Sequence, residues 1–196
     1  DRTRVRRELK LADDERIVGF VGRLAPQKRL ADLIWAFQLV HQMVDRVKLV
    51  LIGEGPDRDV LAELARNLGC RDKIVFAGHR SDAYSLMQGF DVFCLPSQFE
   101  GMSNSLMEAM SLGLCSVVSN IGANLELIRH GDNGLVFPLG DGPQLARCLK
   151  QILENPEQSA RMGAVARQSV LEHHSVAQMV SSHTQLYSRL LSSPPT

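Results

Sequence analysis

Net charge is absent from this 196-residue chain: 22 basic residues stand against 22 acidic ones, so the balance makes no case for nucleic acid or an anionic membrane as a partner. Long apolar runs are absent as well, and without about eighteen such residues in a row nothing in it reads as a bilayer span. Cys70, Cys94, Cys115 and Cys148 lie far apart, with no C-x-x-C pair among them. That spacing offers no disulfide frame. Cys94 and Cys115 fall inside strand patterns, and the set is expected as reduced core thiols of a cytosolic protein. There is no internal repeat, no low-complexity tract and no visible signal peptide. The chain opens at Asp1 without methionine and closes on Ser-Ser-Pro-Pro-Thr, ends expected of an excised piece.

What is present is an alternation. Apolar runs at 17–21, 48–52, 73–76, 92–95, 116–119 and 134–137 read as strands, with helical spacing between most of them. Leu30, Leu33, Ile34 and Phe37 form one apolar stripe over 29–44. Val60, Leu61, Leu64, Ala65 and Leu68 form the next, which Gly69 ends. Asp82 is placed to cap a short helix reaching 90, Pro143 to open one reaching 154, and Asn155-Pro156 to start another; a last helix covers 175–191. A chain of this length fills one core. The alternation predicts an α/β fold, a doubly wound parallel sheet of about six strands with helices on both faces.

The most informative segment is Glu100-Gly-Met-Ser-Asn-Ser-Leu-Met-Glu108, which follows a strand that Pro96 stops. Ser103 is an N-cap for a helix over about 104–112, with Leu106, Ala109 and Met110 on its apolar face and Gly113 closing it. A helix mouth beside the carboxyl end of a strand carries roughly half a positive charge and unpaired N–H donors, which suits a phosphate. Glu108 sits about one turn inside. As a carboxylate it cannot partner phosphate, but it can accept from the two adjacent hydroxyls of a ribose. The pattern is that of a sugar nucleotide site.

A cationic loop accompanies it. Gly19-Phe-Val-Gly-Arg-Leu-Ala-Pro-Gln-Lys28 puts Arg23 and Lys28 at the end of the first strand, where open α/β sheets bind ligands, and two cations match a diphosphate. Taken alone, a solvated surface pair explains them equally well. Gly53-Glu-Gly-Pro56 lacks dinucleotide-fingerprint spacing and signals only a tight turn. In Phe76-Ala-Gly-His-Arg-Ser-Asp82, Gly78 would let a flat base lie against backbone, although a strand-to-helix turn accounts for the same residues. Asp57 and Asp59 mimic a metal-binding D-x-D pair. They open a helix, where acidic residues complement the dipole, so no metal is expected. His173, His174 and His183 are expected on helical surface, without a ligand quartet.

In combination and in this order, GFVGRLAPQK, LVLIGEGP, IVFAGHRSD, DVFCLPSQFEGMSNSLMEAMSLG, VVSNIGANLEL and HGDNGLVFP resemble the C-terminal, nucleotide-sugar-binding domain of retaining GT-B glycosyltransferases, the family 4 or glycosyl transferases group 1 enzymes, over about residues 14 to 155. The resemblance implies a Rossmann-like domain over 12–155. It also implies a linker or helix from the missing half at 1–11, and C-terminal helices at 156–196 that pack on the domain and reach toward the absent N-terminal Rossmann-like half. It gives Arg23 and Lys28 the donor diphosphate, Glu100 the transferred sugar and Glu108 the ribose. Gly22 and the backbone of Gly101, Met102, Ser103, Asn104 and Ser105 would bind phosphate and sugar oxygens, while Arg80 and Asp82 would face the base, with His79 a neighbour. Catalysis would rest on Arg23, Lys28 and Glu100. The implied reaction moves a sugar from a nucleoside diphosphate sugar, foremost a UDP-sugar, to a hydroxyl of a glycan, lipid or small-molecule acceptor, with retention and without cofactor or metal. The implied setting is cytoplasmic, free or peripheral at the inner face of the membrane. This half alone is expected to be inactive, and its last helix to leave apolar surface orphaned. A sugar-nucleotide epimerase of the same fold and a non-catalytic nucleotide-sugar-binding module are the competing readings; a glycoside hydrolase has no use for Arg23 and Lys28. Two departures from the family pattern, Cys115 where proline is frequent and Arg29 where glycine commonly follows the lysine, remove no ligand group.

Overall fold

The computed structural model describes residues 2–9 and 11–192. Its elements run α1 (Arg2–Glu8), β1 (Arg16–Val21), α2 (Leu30–Met43), β2 (Val47–Ile52), α3 (Arg58–Asn67), β3 (Ile74–Gly78), α4 (Ala83–Met87) and β4 (Val92–Leu95). They continue with α5 (Asn104–Ser111), β5 (Ser116–Ser119), α6 (Gly122–Leu125), β6 (Leu135–Phe137), α7 (Gly142–Glu154), α8 (Pro156–His173) and α9 (Val176–Ser192). The six strands are parallel, in the order β3-β2-β1-β4-β5-β6. This is the Rossmann-like α/β architecture that the alternation implies, with helices on both faces.

The central strands read as near-continuous apolar runs because both faces of the sheet are covered there, whereas edge strand β3 is only partly buried along most of its length. β4 and β5 are buried at every residue. α2 packs between α3 and α7 in one layer, and α5 packs between α4 and α8 in the other. Leu30, Leu33, Ile34 and Phe37 are buried on α2 as the stripe requires. Phe20, Phe37 and Phe93 are fully buried, each contributing roughly 1.5 to 3 kcal/mol. The four cysteines are buried and free. Among the described residues, no helix is long and apolar enough to cross a membrane.

Several local expectations are corrected. Val60 is 69% exposed, since α3 turns Leu61 and Ala65 inward and places Val60 about 100° away. The helix expected to reach 90 stops at Met87: the ladder to β1 begins with Asp91 N donating to Ile17 O at 2.9 Å, so Phe90 is already core. β3 starts at Ile74 because 71–73 form a 3-10 turn. α6 and a 3-10 turn over 26–28 are additions that no periodicity announces, being too short to show one. The segment before β1 joins the core, with Val5, Leu9 and Leu11 buried and Arg6 donating to Ala12 O and Asp13 O at 2.9 and 2.7 Å.

α9 behaves differently from every other long helix. Met179, Val180, Leu186, Tyr187, Leu190 and Leu191 all stand exposed on it, at the spacing of one helical stripe.

Candidate functional site

The strand order reverses at β1, which has β2 on one side and β4 on the other, and in such sheets the crevice lies outside the carboxyl ends of those strands. Two loops meet there, 22–29 after β1 and 96–103 after β4, tied by Gln98 N donating to Gln27 O at 2.9 Å. Lys28 Nζ reaches Glu100 Oε1 at 2.6 Å, with side chains only 15% and 10% exposed. Ser97 Oγ donates to the same oxygen at 2.6 Å. Behind it, Ser119 Oγ donates to Ser97 O at 2.5 Å, and Asn124 Nδ2 to Ser119 O and Oγ at 3.0 and 3.1 Å. The Glu100 carboxylate is therefore held by a cation from the β1 loop and by the Ser97 hydroxyl beyond β4, whose backbone carbonyl is anchored in turn by Ser119 at the end of β5. Sequence reasoning missed Ser97, Ser119 and Asn124. Their signal was small polar residues at or just beyond buried strands, where a side chain needs a partner.

A second group forms beyond β1, β2 and β3. Gly22 N donates to Ile52 O at 3.0 Å, Leu24 N to Glu54 O at 2.9 Å and Gly53 N to Gly78 O at 2.8 Å, joining the three loops by backbone alone. They enclose a hollow of about 350 Å3 lined by Gly22, Arg23, Glu54, His79 and Arg80. The GEGP segment, which the sequence marks only as a turn, thus forms a wall, and His79 lines the cavity beside Arg80. Arg23 is exposed, with no hydrogen bond or ion pair among the described residues. Arg80 is already engaged: Nε and Nη2 grip Asp82 at 2.8 and 2.7 Å, and Nη2 also meets Glu8 at 2.8 Å. The guanidinium holds the Asp82 carboxyl below its usual range. Asp82 precedes α4 but makes no side-chain cap bond, a correction to its expected role.

The third group is α5 itself. Ser103, buried, accepts Leu106 N at 3.4 Å as the expected N-cap. Ser103→Ala should cost about 1 kcal/mol and lower the melting temperature by roughly 2 to 4 °C, as read in a thermal melt. Gly101, Met102 and Asn104 are exposed at the helix mouth and Ser105 is half-buried, its Oγ 3.3 Å from that of Ser103. Glu108 is half-buried, burial pushes its carboxyl up, and its carboxylate oxygens have no hydrogen-bond or ion-pair partner among the described residues. With Asn104, Met107 and Ser111 it lines a hollow of about 250 Å3 closed by His174 and Ser175, at the turn between α8 and α9. The structure thus pairs Lys28 with Glu100, places Arg23 and Arg80 on the wall of one hollow, and sets Glu108 in another.

Asp57 and Asp59 lie at the start of α3, and Asp59 pairs with Arg58 at 3.3 Å. Among the described residues no group of three or more His, Cys, Asp or Glu is placed to hold a metal ion.

A Rossmann-like unit with a cation, a carboxylate and a helix mouth at its switch point has the layout on which α/β domains of this class place ligands. Comparison with known proteins narrows this. Residues 1–169 match the family described as glycosyl transferases group 1, and the chain belongs to that family. It is 30% identical over 187 residues to the N-acetyl-alpha-D-glucosaminyl L-malate synthase of Bacillus anthracis, covering 95% of this chain and 49% of that one. An uncharacterized glycosyltransferase of Methanocaldococcus jannaschii is 38% identical over 136 residues, 68% of this chain and 35% of its own. The chain spans about half the length of the curated relatives it matches. Among solved structures, HepE of Anabaena in complex with UDP superposes with a TM-score of 0.90 at 25% identity, over 96% of this chain and 52% of that one. The C-terminal domain of a Francisella tularensis group 1 glycosyl transferase shares the fold, with a TM-score of 0.80 at 21% identity over 90% of this chain and 94% of that one.

Proposed function

We propose that this chain is the donor-binding half of a retaining GT-B glycosyltransferase that moves a sugar from a nucleoside diphosphate sugar, most suitably a UDP-sugar, to an acceptor hydroxyl. The observation that carries the reading is the Lys28–Glu100 contact at the switch point, beside the mouth of α5. HepE, crystallised with UDP and with UDP-glucose, supports UDP as the carrier.

In this mechanism the bond from the anomeric carbon to the diphosphate breaks and one to the acceptor oxygen forms, the acceptor proton passing to a departing phosphate oxygen. Negative charge grows on the diphosphate. Arg23, Lys28 and the N–H groups at the start of α5 stabilise it, which is where catalysis gains most. Glu100 holds sugar hydroxyls near the reacting carbon and acts by position. Glu108 takes the ribose hydroxyls. The hollow between Arg23, His79 and Arg80 receives the base. Lys28 and Glu100 must part as the donor enters, so the protein's own ion pair holds the two charges until a ligand replaces both partners at once.

Calorimetric titration of the chain with UDP tests the reading; absence of binding overturns it. Lys28→Ala should weaken UDP by only about tenfold, near 1.4 kcal/mol, because the gain on phosphate is offset by the pair given up with Glu100. Uridine should bind the variant and the parent alike, and an equal loss on both ligands would remove Lys28 from phosphate. EDTA should leave UDP affinity unchanged, the expected result where Arg and Lys rather than a metal offset the diphosphate charge.

The exposed stripe of α9 is proposed to pack against the remainder of a longer protein, of which this chain is about half by comparison with its relatives. Turnover then requires that remainder, and the chain by itself binds donor without transferring sugar.

A further inference from the structure

The chain contains a single tryptophan, Trp35, and it is not part of the core stripe of α2. It lies on the helix flank, 40% exposed, over a hollow of about 250 Å3 whose other walls are Asp32, Gly140, Gly142 and Pro143. The ring is fixed in place. A Cβ on Gly142 would stand 2.6 Å from Trp35 Cε3, so the indole rests on the first turn of α7 and only a glycine there allows it. Beside it, Arg29 Nε donates to Asp32 Oδ2 at 2.7 Å. The second Asp32 oxygen and the terminal Arg29 nitrogens have no hydrogen-bond partner among the described residues.

A rigid, partly exposed aromatic plate edged by one free acceptor oxygen and two free donor nitrogens matches the two sides of a sugar. The C–H face of a pyranose lies on the indole, and its hydroxyls both accept from guanidinium and donate to carboxylate. A purely apolar ligand would leave the Arg29–Asp32 rim unpaired, and a phosphate would meet the Asp32 charge. The hollow is smaller than the roughly 300 to 1,000 Å3 of sites enclosing drug-sized ligands, which suits one ring. Its place is also informative. Arg29 follows Lys28 directly, and Leu139 N donates to Asn120 Oδ1 at 2.8 Å, which ties the loop carrying Gly140 to the exit of β5. The hollow therefore opens at the same end of the sheet as Lys28 and Glu100.

We infer that Trp35, Asp32 and Arg29 form a sugar-binding subsite that holds one neutral pyranose ring of an acceptor glycan beside the donor crevice. The inference names the acceptor class and in that respect rests on the glycosyltransferase reading, but its test does not. Because Trp35 is the only tryptophan, its emission reports on this hollow alone. The chain, saturated with UDP, is titrated with maltotriose, cellotriose and chitotriose. A saturable change in emission is expected with at least one of them. Asp32→Ala, which keeps the fluorophore and the core stripe, should weaken that response roughly fivefold or more while leaving UDP affinity by calorimetry unchanged. No saturable change with any of the three overturns the subsite, as does a response that Asp32→Ala leaves intact. An emission that shifts with protein concentration and ignores glycan assigns the indole to self-association and overturns it equally. UDP binding without a glycan response defeats this inference and spares the donor site; a glycan response without UDP binding does the reverse.

Discussion

Gly53→Ala is expected to cost about 4 kcal/mol or more, enough to lower the melting temperature by roughly 8 to 16 °C in a domain of this size. Gly53 has φ +138°, a conformation that side chains rarely adopt, and a Cβ there would stand 1.9 Å from Gly22 O and 2.9 Å from Gly22 C. The obstacle is backbone, so no rotamer relieves it. Gly22 is itself bonded through its N–H to Ile52 O, so the exits of β1 and β2 touch at this point and neither can withdraw alone. Relief would come from displacing the β1 loop, which carries Arg23, so the folded fraction of the variant should also bind UDP less tightly. Gly69→Ala is the matched control: φ is +69° but nothing lies within 4 Å, which leaves a conformational penalty of roughly 1 to 2 kcal/mol. Thermal and urea melts followed by circular dichroism compare the two. Equal losses would mean that the β1 and β2 exits do not meet as described.

That contact joins two turns which the sequence presents as unrelated, and the same distinction separates what was legible from what was not. β4 and β5 are readable to the residue because each is a continuous buried run with a hard stop, Pro96 soon after the first and Asn120 directly after the second. α5 is readable because Ser103 caps it and Gly113, at φ +74°, ends it. All of these are local signals. The Lys28–Glu100 pair spans 72 residues, and so does the pair of Arg80 with Glu8. Such contacts follow from strand order, from β4 returning to the side of β1 opposite β2, which no periodicity encodes. The likeness to a known family named Lys28 and Glu100 each for a ligand, but not their pairing with one another. Nor did it point to Ser97, Ser119 and Asn124 behind Glu100, or to Trp35 on the flank of α2. Pairing matters for energetics: a group that must abandon a protein partner contributes less to a ligand than one that waits unpaired.

Glu108 is such an unpaired group, and Glu108→Gln should weaken uridine and UDP binding by about 1.5 to 3 kcal/mol, roughly 10- to 150-fold, through charge-assisted bonds to two ribose hydroxyls that the amide does not reproduce. The same substitution should leave the free protein as stable as before at pH 7, or more so. Burial raises the pKa of this carboxyl above its unfolded value. A group shifted in that direction contributes stability that is fully present below the unfolded pKa and is lost as pH rises through the folded one. At neutral pH the ionised side chain is thus a burden on the fold that glutamine removes, while the ligand loses its acceptor. Uridine carries no phosphate to titrate, so its affinity for the parent chain should fall as pH drops from neutrality through the raised pKa of Glu108, and its residual affinity for Glu108→Gln should stay level. Calorimetry across that range, paired with melts at each pH, separates the two effects. If the variant binds uridine as the parent does, the ribose is held elsewhere and Glu108 is not its acceptor.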